Sequence, residues 1–236
     1  MARNAQALLL GGDCSILIGA ALALKRRGRY GLVFLDAHSD FRHLGNSPSI
    51  GAAAGEDLAI VTGRGDAGLI NIEALGPYFR HDDNHVVGIR ANDLEIAEFA
   101  ALGLRVTASD AMVGTSIAHL ADEIIATTTQ GTEGFWIHFD ADVIDASEMP
   151  AVDCPEPGGP GFAEVAALLR HLLQSPLCVG LELTIFDPDL DPDCKLAERL
   201  VECLVQAFRR DNAGQCVMRA DRLTRSLNSD FGTLKA

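Results

Sequence analysis

Short apolar runs alternate along the chain with longer amphipathic segments. The runs have strand length and near-continuous hydrophobicity, and they cover residues 7–10, 31–35, 85–89, 104–107, 134–139 and 177–183. Helical periodicity is found at residues 15–27, 93–102, 114–128, 162–174 and 194–209. Strands that are apolar on both faces and alternate with helices predict a three-layer α/β/α fold around a mainly parallel sheet.

Two long loops interrupt this alternation, at residues 41–55 and 143–161. Loops of such length in a compact domain usually carry function. The segment after residue 210 is polar and weakly periodic. We therefore interpret residues 1–210 as one domain and residues 211–236 as a C-terminal tail.

Composition narrows the possible partners. The chain has 236 residues and a formal net charge of −14 without a basic segment, which disfavours nucleic acid as a partner. Its six cysteines form no CxxC pair, and no apolar run is long enough for a membrane span or a signal core. We expect a cytoplasmic protein with reduced thiols, without a membrane segment, that acts on a small molecule.

Polar clusters follow three of the predicted strands. GGDCS follows the first, and Asp36, His38 and Asp40 follow the second, whereas Asp140 and Asp142 follow the fifth. The carboxyl ends of parallel strands lie at one edge of a sheet, where ligands bind in open α/β folds. Spacing by two residues directs each set to one side of extended backbone. Four carboxylates and one imidazole are therefore predicted to share a pocket.

Four neighbouring carboxylates repel one another unless cations compensate their charge. Two divalent ions would supply four positive charges, and oxygen-rich ligation suits Mn or Mg while imidazole admits Fe, Co, Ni or Zn. Such a pair can ionise a bridging water to hydroxide near neutral pH. The alternative is that Asp36 caps a turn and His38 is an ordinary loop histidine. A metal site explains all five residues at once.

The motifs GGDCS, DAHSD, HFDADVID and GLELTIFDP resemble, in order, GGDHS, DAHxD, SFDxDxxDP and the last motif strand of the arginase, agmatinase and formimidoylglutamase (ureohydrolase) family. The resemblance spans about residues 8–188. It implies metal-dependent hydrolysis of a C–N bond in a linear amidine or guanidino compound, with two manganese ions. The ligands that it implies are Cys14, Asp36, His38, Asp40, Asp140 and Asp142.

The same resemblance assigns further roles. Asp36 and Asp140 would bridge the ions, and Asp40 and Asp140 would take part in catalysis. GIRAND resembles the family's GxRDxD, which places Asp93 at the amino end of the substrate. Glu182 matches an acidic residue of the last motif and is a candidate substrate contact; a buried carboxylate with a structural role is the other interpretation.

Cys14 departs from the family pattern, which has a histidine ligand at this position. A thiolate ligand would shift metal preference from Mn toward Zn, Fe or Co. A small buried cysteine that ligates nothing is the other interpretation. The sequence leaves both open.

Two residues of the substrate and proton-transfer machinery also differ. The family's proton-shuttle histidine corresponds, without gaps, to Ala53, and His43 of the same loop has a different spacing. The carboxylate expected to bind guanidinium is replaced by Ile185, so arginine and agmatine are doubtful substrates. A single-metal hydrolase that resembles the zinc deacetylases, and a non-catalytic relative that only binds metal or ligand, remain alternatives.

Family members usually carry a longer N-terminal segment with additional strands. We therefore expect a sheet that lacks N-terminal edge strands. An unpaired edge favours self-association, and relatives commonly form trimers or hexamers, so we expect a homo-oligomer.

Overall fold

The computed structural model describes residues 5–47, 51–112 and 115–209. Its sheet has the order β1-β6-β5-β2-β3-β4, and each neighbouring pair of strands is parallel. The strands are β1 (Ala7–Leu10), β2 (Gly31–Leu35), β3 (Asn84–Val87), β4 (Arg105–Thr107), β5 (Phe135–Asp140) and β6 (Cys178–Thr184). The predicted parallel α/β sheet is confirmed.

Helices connect these strands and cover both faces of the sheet. They are α1 (Ile16–Lys25), α2 (Asp57–Val61), α3 (Ile96–Leu102), α4 (Ser109–Met112), α5 (Ile117–Thr128), α6 (Phe162–Gln174) and α7 (Lys195–Phe208). A 3₁₀ turn, Ala53–Glu56, leads directly into α2. The pattern of residues 41–61 predicts neither element.

Two hydrophobic cores form because side chains alternate between the faces of each buried strand. Val33 and Leu35 of β2 pack in one core with α5, α6 and α7. Leu32 and Phe34 pack in the other, with α1, α2 and α3. A core on each face of the sheet is the predicted three-layer arrangement.

β1 is an edge strand in the part of the chain that the structure describes. It pairs with β6, and Leu8, Leu9 and Leu10 are 43%, 39% and 69% exposed. The predicted tail, residues 211–236, lies outside the described residues. Among the helices of the described ranges, none is long and apolar enough to cross a membrane.

The strand register sets the position of the functional residues. Leu35 of β2 lies beside Phe139 of β5, and Asp140 lies beside Thr184 of β6. The carboxyl ends of β2, β5 and β6 therefore meet at one edge, as the sequence predicts.

Candidate metal centre

Each acidic cluster begins with an aspartate that bonds to its own turn. Asp36 Oδ1 accepts a hydrogen bond of 2.7 Å from the backbone N–H of His38. Asp140 Oδ1 accepts one of 2.8 Å from the N–H of Asp142. Such bonds to the N–H two residues ahead hold a carboxylate in a fixed orientation at a strand end. One oxygen of each carboxylate remains directed to the shared edge.

Contacts between strand ends bring the clusters together. His38 Nδ1 lies 2.9 Å from Asp142 Oδ2, and the Ala37 N–H donates to Asp142 Oδ1 over 3.1 Å. The Cys14 thiol, which follows β1, donates to Asp140 Oδ2 over 2.7 Å. Residues far apart in sequence therefore form one polar cluster.

Ligand atoms close enough to share an ion fall into two overlapping groups. Within each, one ligand atom per residue lies within 4.8 Å of the others. The groups are Cys14, Asp36, His138 and Asp140, and then Asp36, His38 and Asp142. Five of these six residues were predicted from sequence, whereas His138 was not. Its signal was a histidine inside an apolar strand, where the family motif has a serine.

Asp40 lies at the same cavity but outside both groups. The cavity has a volume of about 240 Å³, and Asp40 lines it together with Cys14, His38, Asp140 and Asp142. Its φ is 44°, so the backbone leaves the extended form after Ser39. Ligation by Asp40 remains a prediction.

The buried carboxyl groups of the cluster have raised pKa values. Burial, reinforced by Asp142, raises the pKa of Asp36 to about 6. Burial and neighbouring aspartates raise the pKa values of Asp40 and Asp140 well above the usual range. Asp36 Oδ2 is buried without a hydrogen-bond partner, which is costly in a protein interior. Buried carboxylates with imidazole and thiol groups form a donor set that fits divalent cations.

Comparison with known proteins shows the family of the chain. The sequence profile of the arginase family matches residues 1–208. The chain belongs to the arginase family. At the level of class it is a metal-dependent hydrolase that acts on C–N bonds.

Individual relatives agree with this family assignment. An arginase from Brevibacillus brevis is 29% identical over 205 residues, which are 85% of this chain and 68% of that relative. The structure of Bacillus caldovelox arginase matches with a TM-score of 0.80 and 27% identity over 89% of this chain and 70% of that one. Proclavaminate amidino hydrolase from Streptomyces clavuligerus matches with a TM-score of 0.64 and 25% identity, over 85% and 63%. The chain thus spans about two thirds of the length of its curated arginase relatives.

Arg90, in the segment that resembles the family's GxRDxD, fixes the loop that carries Asp142. The side chain is 4% exposed, and within the described part of the chain its guanidinium donates only to backbone carbonyls. These acceptors are Gly88, Asp142, Val143, Glu156 and Pro157. Arg90 therefore connects the end of β3 to the loop after β5.

Asp93 borders an adjoining cavity of about 340 Å³ and not the cavity beside the candidate metal ligands. His38 and Arg42 line both cavities. Asp93 Oδ2 accepts from the Ser39 N–H over 2.9 Å, and Asp93 Oδ1 accepts from the Glu95 N–H over 3.0 Å. The role of Asp93 at the amino end of a substrate remains a prediction.

Glu182 lies where the structural interpretation, and not substrate contact, places it. It is fully buried on β6 and lines neither of these two cavities, because its side chain points to β5. Its Oε1 lies 2.9 Å from His138 Nδ1. Glu182 therefore pairs with the ring of His138 and does not face either of the two cavities where substrate could bind.

The departures from the family pattern are visible on the cavity wall. Ala52 and Ala54, rather than Ala53, line the cavity on the loop before α2. His43 is held by Glu98, 3.2 Å from its Nε2, and its Nδ1 accepts from the Gly45 N–H. His43 lines neither of the two cavities, so its position does not favour a proton shuttle. Ile185 does line the metal cavity, as an apolar residue.

Proposed function

We propose that this protein hydrolyses a C–N bond of a linear amidine or guanidino compound at a two-metal centre. The observation that carries the proposal is the pair of ligand groups that share Asp36 at the carboxyl ends of the strands. Manganese is the metal that the family resemblance favours, and Cys14 admits Zn, Fe, Co or Ni. We also propose that the protein acts in the cytoplasm as a homo-oligomer on a small-molecule substrate.

The residues that would hold the ions follow from the two groups. Cys14, Asp36 and Asp140 would hold one, with Asp40 as a further candidate; Asp36, His38 and Asp142 would hold the other. His38 Nδ1 and Asp142 Oδ2 lie 2.9 Å apart, so both would be available to the same ion. When bound, divalent ions lower the pKa of a water so that it can attack an sp² carbon near neutral pH.

The cavity wall offers a substrate charged groups of both signs. Asp153 contributes a carboxylate and Arg42 a guanidinium, beside Asp40 and Glu56. With Asp40 as a candidate metal ligand and Glu56 assigned to proton transfer, Asp153 is left to attract an amidinium or guanidinium. Ile185 provides an apolar wall instead of a bidentate carboxylate, so the protein binds the alkyl part of its substrate there more readily than the charged group.

Proton transfer to the leaving amine requires a group other than a loop histidine. Glu56 lines the cavity and is 6% exposed, and burial raises its pKa. A carboxyl group on the cavity wall lies where a proton can be passed to a leaving amine. We assign this role to Glu56.

Turnover assays test the proposal directly. Purified protein loaded with Mn, Ni, Co or Zn would be offered arginine, agmatine, guanidinobutyrate, formimidoylglutamate and guanidine, with release of urea or the amine measured. We expect turnover with at least one pair, and we expect Asp140→Asn to abolish it. The matched control is Asp110→Asn, at an exposed aspartate of α4. Tight metal binding without turnover of any compound in the panel contradicts the proposal.

A single-metal hydrolase is the second candidate. It is favoured by the compact group of Asp36, His38 and Asp142, which is complete without Cys14. Elemental analysis separates the two, because about two ions per chain support the two-metal centre and one supports this candidate. Acylated amines in the same assay would identify deacetylase-like activity.

A further inference from the structure

His138 is a buried histidine whose two ring nitrogens have different surroundings. It lies on β5, is fully buried, and stacks on Phe34 of β2 with ring centroids 4.5 Å apart. Its Nδ1 lies 2.9 Å from Glu182 Oε1. Its Nε2 has no hydrogen-bond partner among the described residues. Nδ1 is therefore paired, and Nε2 lies among the candidate metal ligands.

The unpartnered nitrogen faces an unpartnered carboxylate oxygen. His138 Nε2 is 3.8 Å from Asp36 Oδ2, which also lacks a hydrogen-bond partner. This distance is too long for a hydrogen bond, and unsatisfied buried polar atoms are costly. An ion about 2.0–2.2 Å from each atom would span this gap. Cys14 Sγ and an oxygen of Asp140 lie within 4.8 Å of the same atoms.

We propose that His138 Nε2 is a ligand of the first metal ion, together with Cys14, Asp36 and Asp140. The chain would thereby keep an imidazole at this ion although the family's histidine is replaced by Cys14. The inference deepens the proposed function, on whose metal centre it rests.

The surroundings of His138 are those of an oriented metal ligand. His138 and Glu182 are direct neighbours in the register of β5 and β6. A carboxylate that accepts the Nδ1–H of a histidine fixes the ring and leaves the Nε2 lone pair free for a metal. Phe34 holds the ring plane from the other neighbouring strand. Three adjacent strands thus position one imidazole.

This donor set changes the expected metal. A thiolate, an imidazole and two carboxylates form a softer set than one histidine with three carboxylates. At this position we infer a preference for Zn, Fe(II) or Co over Mn. The competing interpretation is a structural imidazolium, protonated on both nitrogens and paired with Glu182 and the nearby buried Asp57. Such a histidine would ligate no metal.

An exchange of residues separates the two interpretations. Variants His138→Ser, Cys14→His and the double variant would be titrated with Zn²⁺ and Co²⁺, with the number of bound ions and their affinities measured without substrate. We expect His138→Ser to lower the affinity for the first ion by more than about 100-fold. This loss exceeds what removal of a residue that only orients a ligand causes. The double variant should recover most of this loss, because its imidazole is at the family position.

A matched control addresses folding. His85 is also a buried strand histidine, 2% exposed on β3, and lies outside both ligand groups. His85→Ser should lower stability without changing the number of bound ions. If His138→Ser binds two ions with wild-type affinity, the proposal is overturned.

X-ray absorption of the wild-type protein avoids any question of folding. With one Zn²⁺ per chain at the first position, we expect a spectrum that contains one sulfur and one imidazole. His138→Ser should lose the imidazole contribution, and Glu182→Gln should keep it while affinity falls about 10- to 100-fold. A spectrum that has sulfur but no imidazole refutes ligation by His138. If metal binding depends on His138 but no substrate is turned over, only the proposed function is refuted. If the protein turns over a substrate but binds metal equally well without His138, only this inference is refuted.

Discussion

Removal of the Arg90 guanidinium should destabilise the protein strongly. Arg90→Met keeps much of the side-chain stem but removes a donor from five carbonyls, of which Glu156 keeps the Ala146 N–H. The bonds to Gly88, Asp142 and Val143 are buried, and the other two are partly buried. An unsatisfied buried acceptor costs about 1–3 kcal/mol, so three such groups cost at least about 3 kcal/mol. Relaxation and water entry limit the total to about 5 kcal/mol.

Urea unfolding of the metal-free protein at pH 7 measures this loss. With a slope of about 2–3 kcal/mol per M, a loss of 3–5 kcal/mol lowers the midpoint by about 1–2.5 M. Arg90→Lys should lie between wild type and Arg90→Met, since an ammonium cannot reach all the carbonyls. The matched control is Arg80→Met, at an exposed arginine, with an expected change below about 0.5 kcal/mol. A loss below about 1 kcal/mol for Arg90→Met, with an unchanged slope, would refute the reasoning.

Three further predictions concern acid stability, specificity and metal removal. Burial, with Arg105 nearby, lowers the pKa of His85 to about 4, whereas the pKa in the unfolded chain is about 6.5. The contribution of neutral His85 to stability is therefore complete above pH 6.5 and is lost as the pH falls toward 4. His85→Gln should show a smaller decline in urea midpoint than the wild type over that interval. Ile185→Glu should bind agmatine about 10-fold or more tightly by calorimetry, because a carboxylate then lines the cavity; unchanged affinity would show that residue 185 does not face the guanidinium. Chelator treatment should lower the melting temperature, with recovery on metal addition, because bound ions stabilise only the folded state; an unchanged melting temperature would show that the centre was empty.

Much of the fold follows from the sequence because the strands are apolar on both faces. All six predicted strands are present, and their ends differ from the prediction by at most two residues. Helix α2 was missed for a physical reason. All five of its residues, Asp57–Val61, are buried, so no amphipathic period distinguishes it from the loop that precedes it.

The candidate site was predictable where it depends on local geometry. Asp36 and His38, two residues apart after β2, share one ligand group as predicted. Asp142 lies in a 3₁₀ turn, Ala141–Val143, and joins the same group, while Asp140 accepts its N–H. The same rule does not extend to Asp40, because a φ of 44° interrupts the extended backbone before the pattern repeats. A turn of this kind is set by surrounding packing and not by residue spacing.

The pairing of His138 with Glu182 could not be predicted from either residue. They are 44 positions apart and meet only because β6 lies beside β5 in a particular register. From the sequence alone, Cys14 suggests that the family's histidine ligand is lost. In the fold, the unpartnered Nε2 of His138 lies within 4.8 Å of Cys14 Sγ. If Cys14 and His138 serve the same ion, the effects of Cys14→His and His138→Ser on metal affinity must be strongly non-additive. Additive effects would mean that the two residues differ from the family pattern independently of each other.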